Sequence, residues 1–292
     1  MIHKKLNDKG FGGHKTYSII LPIDQGVEHG PYEAFLNTDH PEMLDIEYQC
    51  EYINELLAKN LISGAALPFR TAKRFAEKYY DQRNKIIVKM NHSNNINPYL
   101  DPDQTVYAPG DIALTFGGCG YTIYPGSENN KAMSQYYIQL DAHIRNNIPN
   151  QSYKKFIWSY PRGAKVNNEK PFDETSLSTI MHAAYIAAQL NPNVIKVKIP
   201  TNISGPTDLK HVVNAACGIP VIFSGGSHKN ASSVLQDAKC VAEAGGLGMI
   251  VGRNVFQRKP AVGHRTESLF CLYFPGSPEH CFFEFWRLKP GC

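Results

Sequence analysis

Eight short apolar runs, most separated by a stretch of helical periodicity, limit what this 292-residue chain can become. The runs are Tyr17 to Asp24, Ile62 to Leu67, Lys85 to Asn91, Cys119 to Tyr124, Lys154 to Tyr160, Val194 to Ile199, Ile219 to Ser224 and Leu247 to Gly252. Their length and β-branched content predict strands. Helical patterns are read at 43–59, 71–79, 131–145, 176–190, 207–216 and 231–244, and the third connection, near 105–116, is the least clear. From the end of one strand to the end of the next the spacing is roughly 25 to 45 residues, the size of a crossover joining parallel strands. Eight such units predict an α/β fold, a single (β/α)8 barrel over residues 1–258 with an atypical tail at 259–292. An open doubly wound sheet is the other arrangement. A dinucleotide-binding sheet would carry Gly-x-Gly-x-x-Gly after its first strand, and here that strand ends Leu21-Pro22-Ile23-Asp24-Gln25-Gly26.

The sixth run, Val194-Ile195-Lys196-Val197-Lys198-Ile199, contains an energetic anomaly. Side chains alternate across a strand, so Lys196 and Lys198 share one face and Ile195, Val197 and Ile199 the other. An ammonium buried without a partner is costly. At an edge, such lysines would guard against aggregation, but a closed barrel has no edge. In a barrel, the isoleucines and valine face the helices and both lysines face inward, where the ends of the strands build the site. Two ammonium groups about 6–7 Å apart repel by about 2.5 kcal/mol at an effective dielectric of about 20. That lowers one of them by about two pKa units and suits an amine nucleophile assisted by a second lysine.

Other strand ends are polar as well. Ser224-Gly225-Gly226 and Gly252-Arg253 follow the last two strands, where glycine turns let backbone N–H groups converge on an oxyanion and Arg253 adds a charged fork. Each could equally be an ordinary tight turn. Trp158 and Tyr160 share a face of the fifth strand, either as core packing or as an apolar wall and a proton-bearing phenol at the rim. Asp24 either caps the next element or serves the lysines as counter-charge or base. His29 lies on the loop beyond it, and His92 is read as structural. No dense His, Cys or carboxylate spacing calls for a metal.

Composition narrows the class. With 42% apolar and 19% charged residues and a net charge of +4, the chain reads as a soluble globular protein. No Arg/Lys stripe points to nucleic acid. Neither a secretory leader nor a membrane-spanning run is evident, so a cytoplasmic location is expected. The seven cysteines form no Cys-x-x-Cys pair, and the first four (Cys50, Cys119, Cys217, Cys240) are expected in the core.

Taken together, Pro22 to Gly30, Tyr121 to Ser127, Trp158 to Gly163, Val194 to Lys198, Ser224 to Gly226 and Val251 to Asn254 resemble the archaeal-type class I fructose-1,6-bisphosphate aldolases. The resemblance implies metal-free and cofactor-free cleavage of a phosphorylated sugar through a Schiff base. It implies Lys196 as the Schiff-base lysine, Tyr160 as proton donor, and Asp24 and Trp158 against the substrate. Ser224, Gly225, Gly226, Gly252 and Arg253 would hold one phosphate, with Gln25, His29, Arg162 and Lys198 as further contacts. A homo-oligomer is consistent with the family.

Two related Schiff-base barrels resemble the chain too: one makes an aminated heptulosonate, the other is a thiolase for a phosphorylated signal. A phosphate-binding copy without activity is a third alternative. The resemblance stops after Arg258. The family ends in an amphipathic helix, whereas residues 263–292 hold seven aromatics and three cysteines without helical period.

Overall fold

The computed structural model describes residues 17–96, 102–111, 115–147, 153–163, 173–226 and 228–258. Expectations for the segment after residue 258 lie outside these residues. Eight parallel strands close into a barrel in the order β1 (Ser18–Pro22), β2 (Gly64–Pro68), β3 (Ile86–Lys89), β6 (Gly118–Ile123), β7 (Lys154–Ser159), β8 (Val194–Lys198), β9 (Val221–Ser224) and β10 (Gly248–Ile250). β10 pairs back onto β1 in the register Ser18↔Gly248, Ile19↔Met249 and Ile20↔Ile250.

Outside the barrel lie α2 (Ile46–Ala58), α3 (Phe69–Lys78), α4 (Asn130–Asn147), α5 (Leu177–Gln189), α6 (Pro206–Ala215) and α7 (Ala231–Glu243). Two short helices, α1 (Gln25–His29) and α8 (Arg253–Phe256), sit at the strand ends. Capping fixes several starts. Asp45 accepts from the Glu47 N–H, Ser176 from Thr179 and Asn230 from Ser233. Each such bond satisfies an otherwise orphaned donor and contributes about 1 kcal/mol.

Three details depart from the sequence reading. The stretch predicted as helix from residue 43 begins as a 3-10 turn over Pro41–Leu44, and α2 starts only after the Asp45 cap. The third crossover contains an antiparallel hairpin, β4 (Asn91–His92) with β5 (Thr105–Val106), and no α-helix among its described residues. Of the four cysteines expected inside, Cys50 and Cys119 are buried, but Cys217 is exposed in a left-handed turn after α6 and Cys240 is only partly covered.

Alternation along the strands builds two cores. Ile19, Leu21, Ala65, Leu67, Val88, Ile157, Ile195 and Val197 face the helices. Ile20, Ala66, Ile87, Phe156, Val194, Ile222 and Ile250 fill the barrel interior. The interior is therefore a packed floor.

Candidate active site

Directly above that floor the inner face changes character. Two residues beyond Ile87 comes Lys89, beyond Phe156 comes Trp158, beyond Val194 comes Lys196, beyond Ile222 comes Ser224, and beyond Ile250 comes Gly252. Because the side-chain period is two, one step of the same face turns an apolar layer into a polar one. These residues line a cavity of about 180 Å³ at the C-terminal end of the barrel, together with Asp24, Gln25, Glu28, His29, Tyr160, Arg162, Lys198, Gly225, Gly226 and Arg253. Every residue proposed from sequence is thus brought to one place.

Lys196 is the centre. It is 5% exposed, and its Nζ stands 4.9 Å from the centroid of the Trp158 ring and 5.5 Å from that of Tyr160. Burial pushes its amine down to about 8, against the opposing pull of Asp24 and Glu28. Asp24 occupies the N-cap position of α1, but its side chain makes no capping bond and lines the cavity. Burial, Asp24 and Glu28 hold the Tyr160 hydroxyl well above the usual phenol range, with Ser224 and Arg162 pulling the other way. It therefore stays protonated at neutral pH.

The lysine pair differs from expectation. Lys198 is partly exposed, 4.0 Å from Glu174, which also binds the Arg162 guanidinium. Burial and the charge of Arg162 lower it. Lys89, on β3, is lowered to about 7 by burial and, less, by the charge of Lys196, against the pull of Asp24 and Glu28. Lys89, Glu28 and the carboxylate of Glu174 are residues that the sequence reading passed over. His92, read as structural, also lines the cavity, and burial and Lys89 drive its imidazole down to about 3. The β4–β5 hairpin forms part of the rim, where Ser93 and Gln104 line the cavity together with Tyr124.

Two turns, after β9 and β10, close the end of the cavity where the sequence reading expects a phosphate. Gly226 has φ +67°, a conformation that favours glycine. The Gly225 N–H is already bonded to Ile250 O, so Gly225 contributes shape more than a donor. Asn254 is buried and ties the two turns, accepting from the Lys229 N–H at 2.7 Å and donating to Gly225 O at 3.4 Å. His29 accepts at Nδ1 from Asn95 at 3.1 Å in the assigned tautomer. Gln25 Oε1, His92 Nε2 and Trp158 Nε1 are buried here without protein partners, atoms that a polar ligand would satisfy. Among the described residues, no group of three or more His, Cys, Asp or Glu is placed to hold a metal ion.

Comparison with known proteins agrees with this geometry. Residues 18–258 match the DeoC/LacD family of aldolases. The chain is 34% identical over 248 residues to the class 1 fructose-bisphosphate aldolase of Thermoproteus tenax, covering 84% of this chain and 85% of that protein. It is 31% identical to the class 1 enzyme of Halobacterium salinarum, covering 82% and 84% respectively. Among solved structures, an archaeal fructose-1,6-bisphosphate aldolase captured with its catalytic lysine covalently bound to the carbinolamine intermediate superposes with a TM-score of 0.72. It has 30% identity, and the match covers 92% of this chain and 98% of that one. The chain belongs to the DeoC/LacD family of aldolases and, within it, to the archaeal-type class 1 fructose-bisphosphate aldolases.

Proposed function

We propose that this chain is a Schiff-base aldolase that reversibly cleaves fructose 1,6-bisphosphate to dihydroxyacetone phosphate and glyceraldehyde 3-phosphate in glycolysis and gluconeogenesis. The observation that carries the reading is Lys196: a buried amine lowered to about 8, facing Trp158 and Tyr160 above a packed floor. A non-catalytic copy would have no need for Asp24, Tyr160 and Lys196 to line one cavity.

The neutral Lys196 amine attacks the C2 ketone and gives a carbinolamine. Loss of water leaves an iminium. Asp24 takes the proton of the C4 hydroxyl, the C3–C4 bond breaks, and its electron pair moves into the iminium as an enamine. Glyceraldehyde 3-phosphate departs. Tyr160 returns a proton to C3, and hydrolysis releases dihydroxyacetone phosphate and restores the amine. Ser224, Gly226, Gly252 and Arg253 hold one phosphate. Arg162, Lys198 and His29 receive the other end of the sugar, and Gln25 and Trp158 border its chain.

The reading places the enzyme in the cytoplasm, acting on a phosphorylated sugar. Among the described residues no helix is long and apolar enough to cross a membrane. Borohydride reduction in the presence of dihydroxyacetone phosphate tests it: the mass of the adduct should map to Lys196. Folded protein that binds the sugar phosphate yet gives no adduct would sink the mechanism. Parallel assays with the substrates of the aminated-heptulosonate synthase and the signal thiolase should show no turnover.

A further inference from the structure

The segment between α1 and α2 contains a buried histidine that the proposed reaction does not use. His40 is 1% exposed and sits just before Pro41, at the head of the 3-10 turn Pro41–Leu44. Thr38 sets its backbone: the Thr38 hydroxyl donates to Phe35 O at 2.6 Å and accepts from the His40 N–H at 3.1 Å. Both ring nitrogens are used. Nδ1 lies 3.1 Å from Phe256 O, and Nε2 lies 2.8 Å from the Tyr48 hydroxyl. A carbonyl oxygen can only accept, so Nδ1 carries the proton. In the neutral ring Nε2 then accepts from Tyr48. The imidazole meets Tyr48 and Tyr52 edge-on, with 5.3 Å and 5.5 Å between ring centroids. Those two rings lie parallel on α2 and give the imidazole a fixed seat.

What the seated ring holds is α8, the four-residue helix that begins at Arg253. A single turn cannot keep its own shape, and its last carbonyls lack helical partners. Its place is therefore set from outside. Toward the barrel, Asn254 ties it to Gly225 and Lys229. Toward the segment that carries His40, the Gln257 amide donates to Ala34 O at 3.0 Å, the Phe35 and Phe256 rings stand 5.8 Å apart, and His40 holds Phe256 O. The His40 bond is the one of these three that grips the α8 backbone. Arg253 lines both the reaction cavity and a neighbouring one of about 320 Å³. With open space on two sides of its side chain, the aim of the guanidinium depends on the backbone of α8. We propose that His40 is a positioning residue for phosphate recognition: by holding Phe256 O it fixes the turn that presents Gly252 and Arg253 to the substrate. This rests on the reading of those two residues as phosphate contacts.

Two conservative variants separate the two bonds of the ring. His40→Asn places an amide nitrogen where Nδ1 stood and keeps the bond to Phe256 O, whereas His40→Gln places one where Nε2 stood and loses it. Each gives up one buried hydrogen bond, so a purely structural role would weaken phosphate binding equally in both. Calorimetry with inorganic phosphate should instead show affinity falling about tenfold in His40→Gln and staying near the parent in His40→Asn. With fructose 1,6-bisphosphate, KM should rise by a similar factor in His40→Gln while kcat holds within about twofold. In an Arg253→Met background, His40→Gln should add nothing to the loss. Equal losses in the two variants, no loss in His40→Gln, or a full additional loss in the Arg253→Met background overturns the inference. If His40→Gln does not fold, proton–nitrogen NMR of the histidine side chains in the parent decides. His40 should be the Nδ1–H tautomer, and its resonance should shift with the same midpoint as phosphate binding. An Nε2–H tautomer or an unmoved resonance overturns the inference as well. Phosphate responses that come out as expected in a parent that forms no Lys196 adduct with dihydroxyacetone phosphate would instead condemn the aldolase reading and leave this one standing.

Discussion

The indole of Trp158 lies where a side chain of residue 120 would otherwise be. A Cβ built on Gly120 would overlap Trp158 Cζ3 and Cη2, and would stand 3.0 Å from Cε3. Gly120 is on β6 and Trp158 on β7, so the absence of one side chain lets the next strand's ring lie across the barrel toward both buried lysines. Gly120→Ala should therefore push the ring off its seat. We expect a loss of about 1–3 kcal/mol of stability from overpacking and a weaker Schiff-base yield. Urea denaturation, near-ultraviolet dichroism and borohydride trapping check the three parts. An alanine variant with parent-like dichroism and trapping would show that the ring is seated by something else.

Tyr160→Phe separates bond-making from proton return. The amine remains, so the Lys196 adduct should still trap with dihydroxyacetone phosphate. Turnover should fall about 10²- to 10⁴-fold, the usual range for a lost general acid. Exchange of the C3 proton of dihydroxyacetone phosphate with solvent, followed by NMR, should slow in parallel. Undiminished exchange would remove Tyr160 from the proton path.

The depressed Lys196 amine has a consequence for stability as well as reactivity. Its folded value is about 8 against an ordinary 10.5. Between those values the unfolded chain binds more protons than the folded one, so stability rises with pH across this window. Lys196→Met removes that contribution. The parent should gain on the variant as pH increases from 7 to 10, read as the difference in urea midpoints. A difference that stays flat would contradict a buried, lowered amine.

Glu174 pairs with Arg162 and stands 4.0 Å from Lys198. If these two cations receive a phosphate, the carboxylate competes with it. Glu174→Gln should tighten inhibition by inorganic phosphate about 3- to 10-fold, equivalent to about 1 kcal/mol for a partly exposed pair. Calorimetry with inorganic phosphate decides it, and weaker binding in the variant would mean that Glu174 positions the cations.

Much of this site can be read from the chain because of parity. Lys196 and Lys198 stand out within a β-branched run, and Trp158 and Tyr160 follow the same count one strand earlier. The count applies equally to Ile87 and Lys89, yet Lys89 adjoins Met90-Asn91-His92 at a strand end, where a lysine looks like ordinary loop chemistry. What makes it special is the pairing of Asn91 with Thr122, a contact between residues 31 apart that no local pattern encodes. The β4–β5 hairpin escapes for a similar reason. Each strand is two residues long, too short for any period. Glu174 meets Arg162 only through tertiary geometry. Cys217 escapes the core because it closes a left-handed turn after α6, a backbone requirement that small size alone does not reveal.

Closure of β10 onto β1 also sets a timetable. A nascent chain emerges from its amino end, so Ser18 must wait for Gly248 before the ring can close. Asp24, Tyr160 and Lys196 are all made before then, but the strand that completes their enclosure is the last of the eight to arrive. Until it does, the β1 and β9 backbones lack their β10 partner, and the growing chain carries two adhesive borders. Such long-range pairing is intrinsically slow to form. The interval between synthesis of residue 224 and residue 250 is then when this molecule most needs protection from its neighbours.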